Sequence, residues 1–286
     1  MTAGRRAAGT ERTGVAARAT RTPATSLSAT RWSSGSEPLA KVETVATECP
    51  VALVFNGVSY AVMMSTPADL EDMGVGFALA EGIVGTAAEI TLVEALDMVL
   101  GMEVRLEIPA ARAAALDERR RSMVGGTACG LCGIISLDMA IRPLPKASAG
   151  PKVQPDAIRA ALRRLPDAQA THRQTGSVHA AAMASLDGEI LLTREDVGRH
   201  NALDKLIGAA TRGGLDIGQS ILLLTSRCST EMIQKAATAG FSTVVAISAP
   251  TSLAVALAED AGVTLVAFAR GDDFTVYTGP ERIAPQ

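Results

Sequence analysis

The last third of the chain repeats one pattern twice, and this repetition limits the fold more than any other feature. The apolar run Ile221–Leu224 leads into a polar turn and a helical segment that ends at Gly240. Val244–Ile247 leads in the same way into a segment that ends at Gly262, and a third apolar run covers 263–269. Short continuous apolar runs are typical of strands buried on both faces. The pattern therefore predicts two successive β-α-β crossovers and parallel strands within a mixed sheet.

The first half of the chain predicts a smaller unit. Asn56-Gly57 between two apolar runs is a strong β-hairpin signal. Thr66 followed by Pro67 is typical of a helix start, with the threonine as N-cap. Strands near 90–99 and 102–108 and a helix over 110–121 are expected next, and a proline-containing link at 142–152 indicates a boundary. We predict an α/β (mixed α+β) protein with an N-terminal α+β subdomain at 37–141 and a larger C-terminal subdomain at 142–286.

The N-terminal 36 residues differ from the rest in charge and pattern. They contain six Arg and one Glu, a charge of +5, so the remaining residues carry −8 of the total of −3. Without periodic apolar residues, 1–36 are predicted to form a disordered leader. The acidic remainder disfavours non-specific nucleic-acid binding, and no apolar run approaches the ~20 residues that cross a bilayer. We expect no nucleic-acid or membrane partner.

Two of the four cysteines, Cys129 and Cys132, lie in the glycine-rich stretch 125–133, just after three arginines at 119–121. Four cysteines in 286 residues indicate a reducing, cytoplasmic setting. A structural zinc needs four ligands, and no second Cys-x-x-Cys exists, so no metal site is predicted. A thioredoxin-like dithiol and two inert buried thiols remain alternatives. Covalent sulfur or acyl transfer fits best, because basic neighbours favour the reactive thiolate. Cys49 and Cys228 are predicted to be structural.

The two polar turns of the repeat predict an anion site. Each turn follows the carboxyl end of a strand, where ligands of open α/β sheets bind, and each opens a helix whose N-terminus favours negative charge. The turns supply Ser226, Arg227, Ser229, Thr251 and Ser252. Ordinary helix capping is the alternative for each turn. No dinucleotide-binding or P-loop glycine pattern is present, so neither site is supported.

A third feature is the polar string 195–205. It places His200 and Asp204 one helical turn apart, so the carboxylate is predicted to orient the imidazole. His179 on the preceding strand, with Arg199 and Asn201, predicts a polar pocket. A solvated helix start is the alternative.

Together these segments resemble the formate dehydrogenase accessory sulfurtransferases, the FdhD family. The resemblance covers about 37–283, and its most specific parts are the Cys129–Cys132 pair and the string 195–205. The other matching segments are Asn56-Gly57, Met64–Glu71, Gly76-Phe77, Glu81–Ile83, Thr175-Gly176, His179–Ala181, Ser226-Arg227, Ser229–Met232, Lys235, Ser248–Pro250 and Leu253–Val255.

The resemblance implies a cytoplasmic homodimer that accepts persulfide sulfur from a cysteine desulfurase. It would pass the sulfur to the molybdenum bis(molybdopterin guanine dinucleotide) cofactor, its bound substrate, for use by formate dehydrogenase. Cys129 would hold the persulfide and Cys132 would assist. The guanine nucleotides would use the polar turns, the polar pocket and the stretch after the last strand, which comprises Phe268, Ala269, Arg270, Gly271, Asp272 and Asp273.

The resemblance also has limits that the sequence makes explicit. The larger subdomain is expected to be similar to the cytidine deaminase fold, but that fold's catalytic zinc signature is missing here, so deamination is not implied. Thr127-Ala128 stands where serines are expected, and Cys228 stands where another residue is expected, which raises the prospect of a third reactive thiol. A non-catalytic cofactor-binding chaperone with a redox-regulatory dithiol is the alternative function.

Overall fold

The structure is a computed structural model that describes residues 22–121, 143–147 and 150–284. These residues form twelve strands and seven α-helices. The strands are β1 (Ala24–Arg31), β2 (Leu39–Ala46), β3 (Cys49–Phe55), β4 (Val58–Ser65), β5 (Leu92–Met98), β6 (Gly101–Glu107), β7 (His179–Ala184), β8 (Ile190–Asp196), β9 (Ile221–Leu224), β10 (Thr243–Ala246), β11 (Thr264–Arg270) and β12 (Asp273–Thr278). The helices are α1 (Leu70–Ala80), α2 (Ala110–Arg121), α3 (Pro155–Arg164), α4 (Ala170–Thr175), α5 (Arg199–Arg212), α6 (Thr230–Ala239) and α7 (Ser252–Ala261).

The C-terminal sheet has six strands in the order β12-β11-β10-β9-β7-β8. Strands β9, β10 and β11 are parallel, and the outer pairs are antiparallel. Successive residues of β9 enter different cores: Leu222 packs with α5, α6 and α7, whereas Leu223 packs with α3. Helices thus cover both faces, which explains why the central strands are apolar throughout. The predicted crossovers and mixed α/β class are confirmed.

The N-terminal sheet has four strands in the order β4-β3-β6-β5. The predicted hairpin at Asn56-Gly57 is confirmed, and both residues adopt positive φ, 47° and 76°, as a tight hairpin turn requires. Helix α1 packs on one face through Met73 and Phe77. On β4, Val62 and Met64 stay 51% and 44% exposed. This sheet is therefore a half-buried layer beside the fully buried C-terminal one.

Helix α1 begins later than predicted. Its N-cap is Asp69, in the left-handed region at φ 52°, and its first residue is Leu70. The prediction of Thr66 as N-cap is wrong, because the Thr66 hydroxyl instead accepts a hydrogen bond from the Val197 backbone N–H at 3.2 Å. Thr66 therefore joins the two sheets.

The predicted disordered leader is also wrong in part. Within 1–36, residues 24–31 form β1, which pairs with β2 along its whole length. The outer part of this hairpin is exposed on both faces. Since neither face is buried there, β1 shows no alternation of apolar and polar residues and gave no strand signal. Residues 1–21 lie outside the described part.

Helices α1 and α5 cross at two glycines, and this crossing joins the two sheets. A Cβ atom added at Gly76 would lie 1.7 Å from the Asp204 carbonyl oxygen, and one added at Gly208 would lie 1.9 Å from the Asp72 carbonyl oxygen. Only glycine permits this backbone contact. In the described ranges, no helix is both long and apolar enough to traverse a bilayer.

Candidate functional site

The site lies at the carboxyl ends of β9, β10 and β11. The first turn, 225–229, and the second turn, 248–251, are joined by backbone hydrogen bonds. Cys228 N–H donates to the Ala249 carbonyl at 3.1 Å, and Thr251 N–H donates to the Cys228 carbonyl at 3.0 Å. The two predicted polar turns therefore lie side by side.

In the first turn, the polar groups already have partners inside the protein. The Ser226 hydroxyl donates to the Arg227 carbonyl at 3.0 Å. The Ser229 hydroxyl donates to Glu231 Oε2 at 3.2 Å, and Glu231 Oε2 lies 2.9 Å from His200 Nε2. Arg227 is exposed. The first turn thus leads directly to a carboxylate, Glu231, in the opening turn of α6.

Glu231 is a residue of the site to which the sequence analysis assigned no role. Burial alone would raise its pKa, but hydrogen bonds from His200 and Ser229, with the positive charge of Arg199, lower the pKa below its usual value. Apart from lying in the matching segment Ser229–Met232, its sequence signal is only an acid next to Thr230 at a helix start, which also fits plain capping. The predicted pairing of His200 with Asp204 is wrong, since His200 contacts Glu231, 31 residues away.

Asp204 pairs instead with Lys235 on α6. Lys235 Nζ lies 2.8 and 3.0 Å from the two carboxylate oxygens of Asp204 and 2.9 Å from Glu81 Oε1. Burial raises the pKa of Asp204 to about 6, although Lys235 opposes this. Burial would lower the pKa of Lys235, but Asp204 and Glu81 raise it above its ordinary value, so the lysine stays charged. This cluster fixes α6 against α5 and the end of α1.

In the second turn, the polar groups are more open. The Thr251 hydroxyl oxygen caps α7 by accepting from Ala254 N–H at 3.3 Å. The first turn of α7 contains no acidic residue, and Thr251 and Ser252 are exposed. The second turn therefore has a helix N-terminus without a carboxylate of its own.

The prediction that 268–273 follows the last strand is wrong. These residues form a hairpin, and a further strand follows them. Strand β11 extends to Arg270, and β12 pairs with it antiparallel from Asp273. Phe268 has φ 51° and is 47% exposed, beside a register shift between Ala267 and Arg270. A positive φ in a bulky residue is uncommon and often marks a functional position.

The base of this hairpin touches the second turn. Phe268 N–H donates to the Ser248 carbonyl at 3.2 Å, and Arg270 Nε donates to the Ile247 carbonyl at 3.1 Å. At the hairpin tip, Gly271 and Asp273 are exposed. Ala269 is 1% exposed, so its side chain lies in the core, and Asp272 is bound by Arg159 and Arg163 of α3.

The remaining predicted residues lie at the start of β7 and α5. His179 is half-buried, and burial, followed by the positive charge of Arg199, lowers its pKa. The buried Nε of Arg199 has no hydrogen-bond acceptor among the described residues. Asn201 is 5% exposed and donates to the Met64 carbonyl and to Asp196 Oδ1. Asn201 thus supports the structure, whereas His179 and Arg199 border the site.

A buried carboxylate holds the start of α5 in place. Asp196 is 0% exposed, and its Oδ2 accepts from Ser65 Oγ at 2.5 Å, Thr66 N–H at 3.0 Å and Lys205 Nζ at 2.6 Å. Its Oδ1 accepts from Gly198 N–H at 2.7 Å. The end of β4 is thereby bound to the residues that precede Arg199 and His200.

The cysteines fall into two groups. Cys129 and Cys132 lie outside the described residues. Cys49 and Cys228 are 3% and 0% exposed, and burial raises the pKa of both thiols, for Cys228 to about 12. Cys228 is therefore a structural thiol and not the third reactive one. The described ranges contain no cluster of three or more His, Cys, Asp or Glu able to hold a metal.

These features define a class: a two-sheet α/β protein with a polar site at the carboxyl ends of parallel strands. The family model described as the FdhD/NarQ family matches residues 46–284. The chain belongs to that family.

Individual relatives support the same family assignment. A sulfur carrier protein FdhD of Xanthomonas euvesicatoria is 48% identical over 239 residues, which cover 84% of this chain and 85% of that protein. One from Variovorax paradoxus is 49% identical, with coverage of 84% and 86%. The crystal structure of a protein assigned as a formate dehydrogenase accessory protein from Desulfotalea psychrophila has a TM-score of 0.72 and 27% identity, and covers 92% of this chain and 100% of that one.

Proposed function

We propose that this protein is a sulfur carrier that holds persulfide sulfur on Cys129 and transfers it to the molybdenum bis(molybdopterin guanine dinucleotide) cofactor. A cysteine desulfurase would supply the sulfur, and formate dehydrogenase would receive the finished cofactor. We expect the protein to work in the cytoplasm as a homodimer. The relatives named as sulfur carriers support the sulfur part of this proposal.

The observation that carries the proposal is the burial of the other thiols. The chain has four cysteines, and Cys49 and Cys228 are enclosed in the protein, with burial raising the pKa of each. A buried thiol of raised pKa is a poor nucleophile. Sulfur chemistry is therefore left to Cys129 and Cys132.

The chemistry needs only these two thiols. The Cys129 thiolate attacks the outer sulfur of the donor persulfide, the donor's S–S bond breaks, and the donor cysteine leaves as a thiolate. For delivery, Cys132 attacks Cys129 Sγ, the two form a disulfide, and the outer sulfur leaves as hydrosulfide to bind molybdenum. The two thiols are oxidised while that sulfur is reduced. Relay through Cys132 is the alternative: the Cys132 thiolate takes the outer sulfur, Cys129 leaves as a thiolate, and Cys129 then attacks Cys132 Sγ to release hydrosulfide. Both routes end in the same disulfide, which a cellular thiol would have to reduce before the next round.

The edge of the C-terminal sheet supports the cofactor part of the proposal. Phe268, which is 47% exposed, binds the second turn through its backbone N–H, and the guanidinium of Arg270 binds the carbonyl of Ile247 just before that turn. Aromatic rings can stack on nucleobases, a contact that contributes about 1–3 kcal/mol per base, and a helix N-terminus favours phosphate. These groups suit a guanine nucleotide.

Mass spectrometry tests the carrier role. After incubation with a cysteine desulfurase and L-cysteine, the intact protein should gain about 32 Da, the mass of one sulfur, on its nucleophilic thiol. Cys129→Ser should lose this adduct, whereas Cys228→Ser, the matched buried control, should keep it. An adduct that survives Cys129→Ser would rule out the assignment of the carrier.

Complementation separates the carrier from the chaperone. In a strain that lacks its own copy, the Cys129→Ala, Cys132→Ala double variant should fail to restore formate dehydrogenase activity. Full restoration would instead favour the non-catalytic chaperone.

Calorimetry with GDP and ADP tests the guanine preference. Equal binding of the two nucleotides, or no binding of either, would rule out a guanine-specific site.

A further inference from the structure

We propose that the guanidinium of Arg199, with the imidazole of His179 beside it, binds the diphosphate of the nucleotide ligand. Arg199 is the first residue of α5, and His179 is the first residue of β7. The inference refines the cofactor site of the proposed function, on which it rests, by assigning two side chains to one part of the ligand. It involves neither the guanine base nor the reacting sulfur, so a simple phosphate compound can test it.

The guanidinium of Arg199 has no partner in the part of the chain that the structure describes. Its Nε is enclosed and has no acceptor there, and neither terminal nitrogen forms an ion pair or a hydrogen bond with a described residue. Of the three guanidinium nitrogens only Nε is fully enclosed, and the side chain as a whole is partly exposed. Enclosing a donor without an acceptor costs free energy. Folding therefore leaves this cation available to an anion from outside the protein.

The acidic groups around Arg199 are already used by other parts of the protein. Asp196 accepts five hydrogen bonds through its two oxygens. Both oxygens of Glu195 accept from backbone N–H groups of α4, at 2.7 and 2.8 Å. In Glu231, Oε2 is shared by His200 and a serine hydroxyl. Among the described residues, the positive charge of Arg199 is thus left without a carboxylate of its own.

His179 adds a second donor next to this cation. Burial lowers the pKa of His179, and the positive charge of Arg199 lowers it further, so the two side chains lie close together. His172 and His200 act in the same direction, whereas Asp196 opposes them. The ring of His179 forms no hydrogen bond with another described residue. A planar guanidinium and a neutral imidazole N–H suit a diphosphate, because each can donate to the oxygens of one phosphate group.

Calorimetry on the full chain tests the proposal, with inorganic pyrophosphate as the probe. Pyrophosphate should bind the wild-type protein, and it should bind Arg199→Gln about ten- to a hundredfold more weakly, the range for loss of a charge-assisted hydrogen bond. Arg31→Gln, an equal charge change at an exposed arginine of β1, should bind like the wild type. Inorganic phosphate should bind the wild type more weakly than pyrophosphate does.

Two further measurements separate a binding role from a structural one. In ¹H–¹⁵N spectra of the wild type, pyrophosphate should shift the Nε–H signal of Arg199, which is identified by its absence from Arg199→Gln. The pKa of His179, followed through its ring protons, should rise when the anion is bound, since a nearby negative charge favours the charged imidazole. The urea midpoint of Arg199→Gln should equal or exceed that of the wild type, because no internal bond is lost.

Four results would overturn the proposal: no binding of pyrophosphate, unchanged affinity in Arg199→Gln, an equal loss in Arg31→Gln, or equal affinity for phosphate and pyrophosphate. An unshifted Arg199 signal with a lower urea midpoint would show that the arginine is structural. The wild-type spectra decide the point even if the variant fails to fold. Neither the sulfur adduct nor the GDP preference enters these measurements, so the inference can fail while the proposed function stands.

Discussion

The two strand-turn-helix units of the C-terminal sheet share one topology but differ in chemistry. The first unit, β9 to α6, contains Glu231 in the opening turn of α6 and Lys235 one helical turn later, both bound to groups from α5. At the position that matches Lys235, six residues after the N-cap, the second unit has Leu257, which packs in the apolar core. The comparison shows that one topology can present different polar groups at its two turns.

The largest effect should come from removing the buried ion pair of the first unit, Lys235 with Asp204. Lys235→Met keeps the volume but leaves Asp204 buried and unpaired, so the free energy of unfolding should fall by about 3–5 kcal/mol. The matched change Leu257→Met should lower it by less than about 1.5 kcal/mol. Urea unfolding followed by circular dichroism measures both, and equal losses would contradict the comparison.

The second-largest difference between the two units should come from their helix caps. Thr251 accepts a hydrogen bond from Ala254 N–H, so Thr251→Ala should lower the free energy of unfolding by about 1 kcal/mol, the usual effect of removing an N-cap. The same urea titration gives the value. A loss below a few tenths would mean that the 3.3 Å contact contributes little.

Ser229, the corresponding N-cap of α6, makes no capping bond and donates to Glu231 instead. Ser229→Ala removes only this half-buried bond to Glu231, so it should lower the free energy of unfolding by about 0.5 kcal/mol, the lower end for a single hydrogen bond and less than for Thr251→Ala. If it equals the loss in Thr251→Ala, the serine is a true cap and the two turns are more alike than the structure indicates.

The smallest effect concerns Cys228, which lies in the first turn and binds the second turn through its backbone. Since burial raises the pKa of its thiol to about 12, the Cys129→Ser, Cys132→Ser variant should show no thiol that reacts with Ellman's reagent in the native state. Its two remaining thiols should react in urea. A fast native reaction that disappears when Cys228→Ser is added would show that the first turn opens.

Local signals in the sequence were enough for much of the fold. The apolar runs at 221–224 and 244–247 and the Asn56-Gly57 turn gave correct strands, because burial on both faces and positive φ leave a mark in consecutive residues. Strand β1 left no such mark, since most of it is buried on neither face. The sequence did not predict strand β12, because Gly271-Asp272-Asp273 is typical of a loop. In the structure these residues form the tight turn that joins β11 to β12.

The site was harder to predict than the fold, because its contacts join distant parts of the chain. The sequence places Asp204 one helical turn from His200, yet the bond to Glu231 depends on how α5 packs on α6. In the same way, Asp196 draws its partners from Ser65 and Thr66, about 130 residues earlier. Spacing along one helix cannot reveal such pairs.

The glycine crossing of α1 and α5 has a consequence for how the molecule unfolds. Because the two backbones touch at Gly76 and Gly208, neither sheet can loosen without breaking contacts of the other. Two sheets with separate cores could melt in two steps. Here the crossing couples them, so the N-terminal sheet, with its open face, should be protected from hydrogen exchange as strongly as the C-terminal one, and a single calorimetric transition is expected.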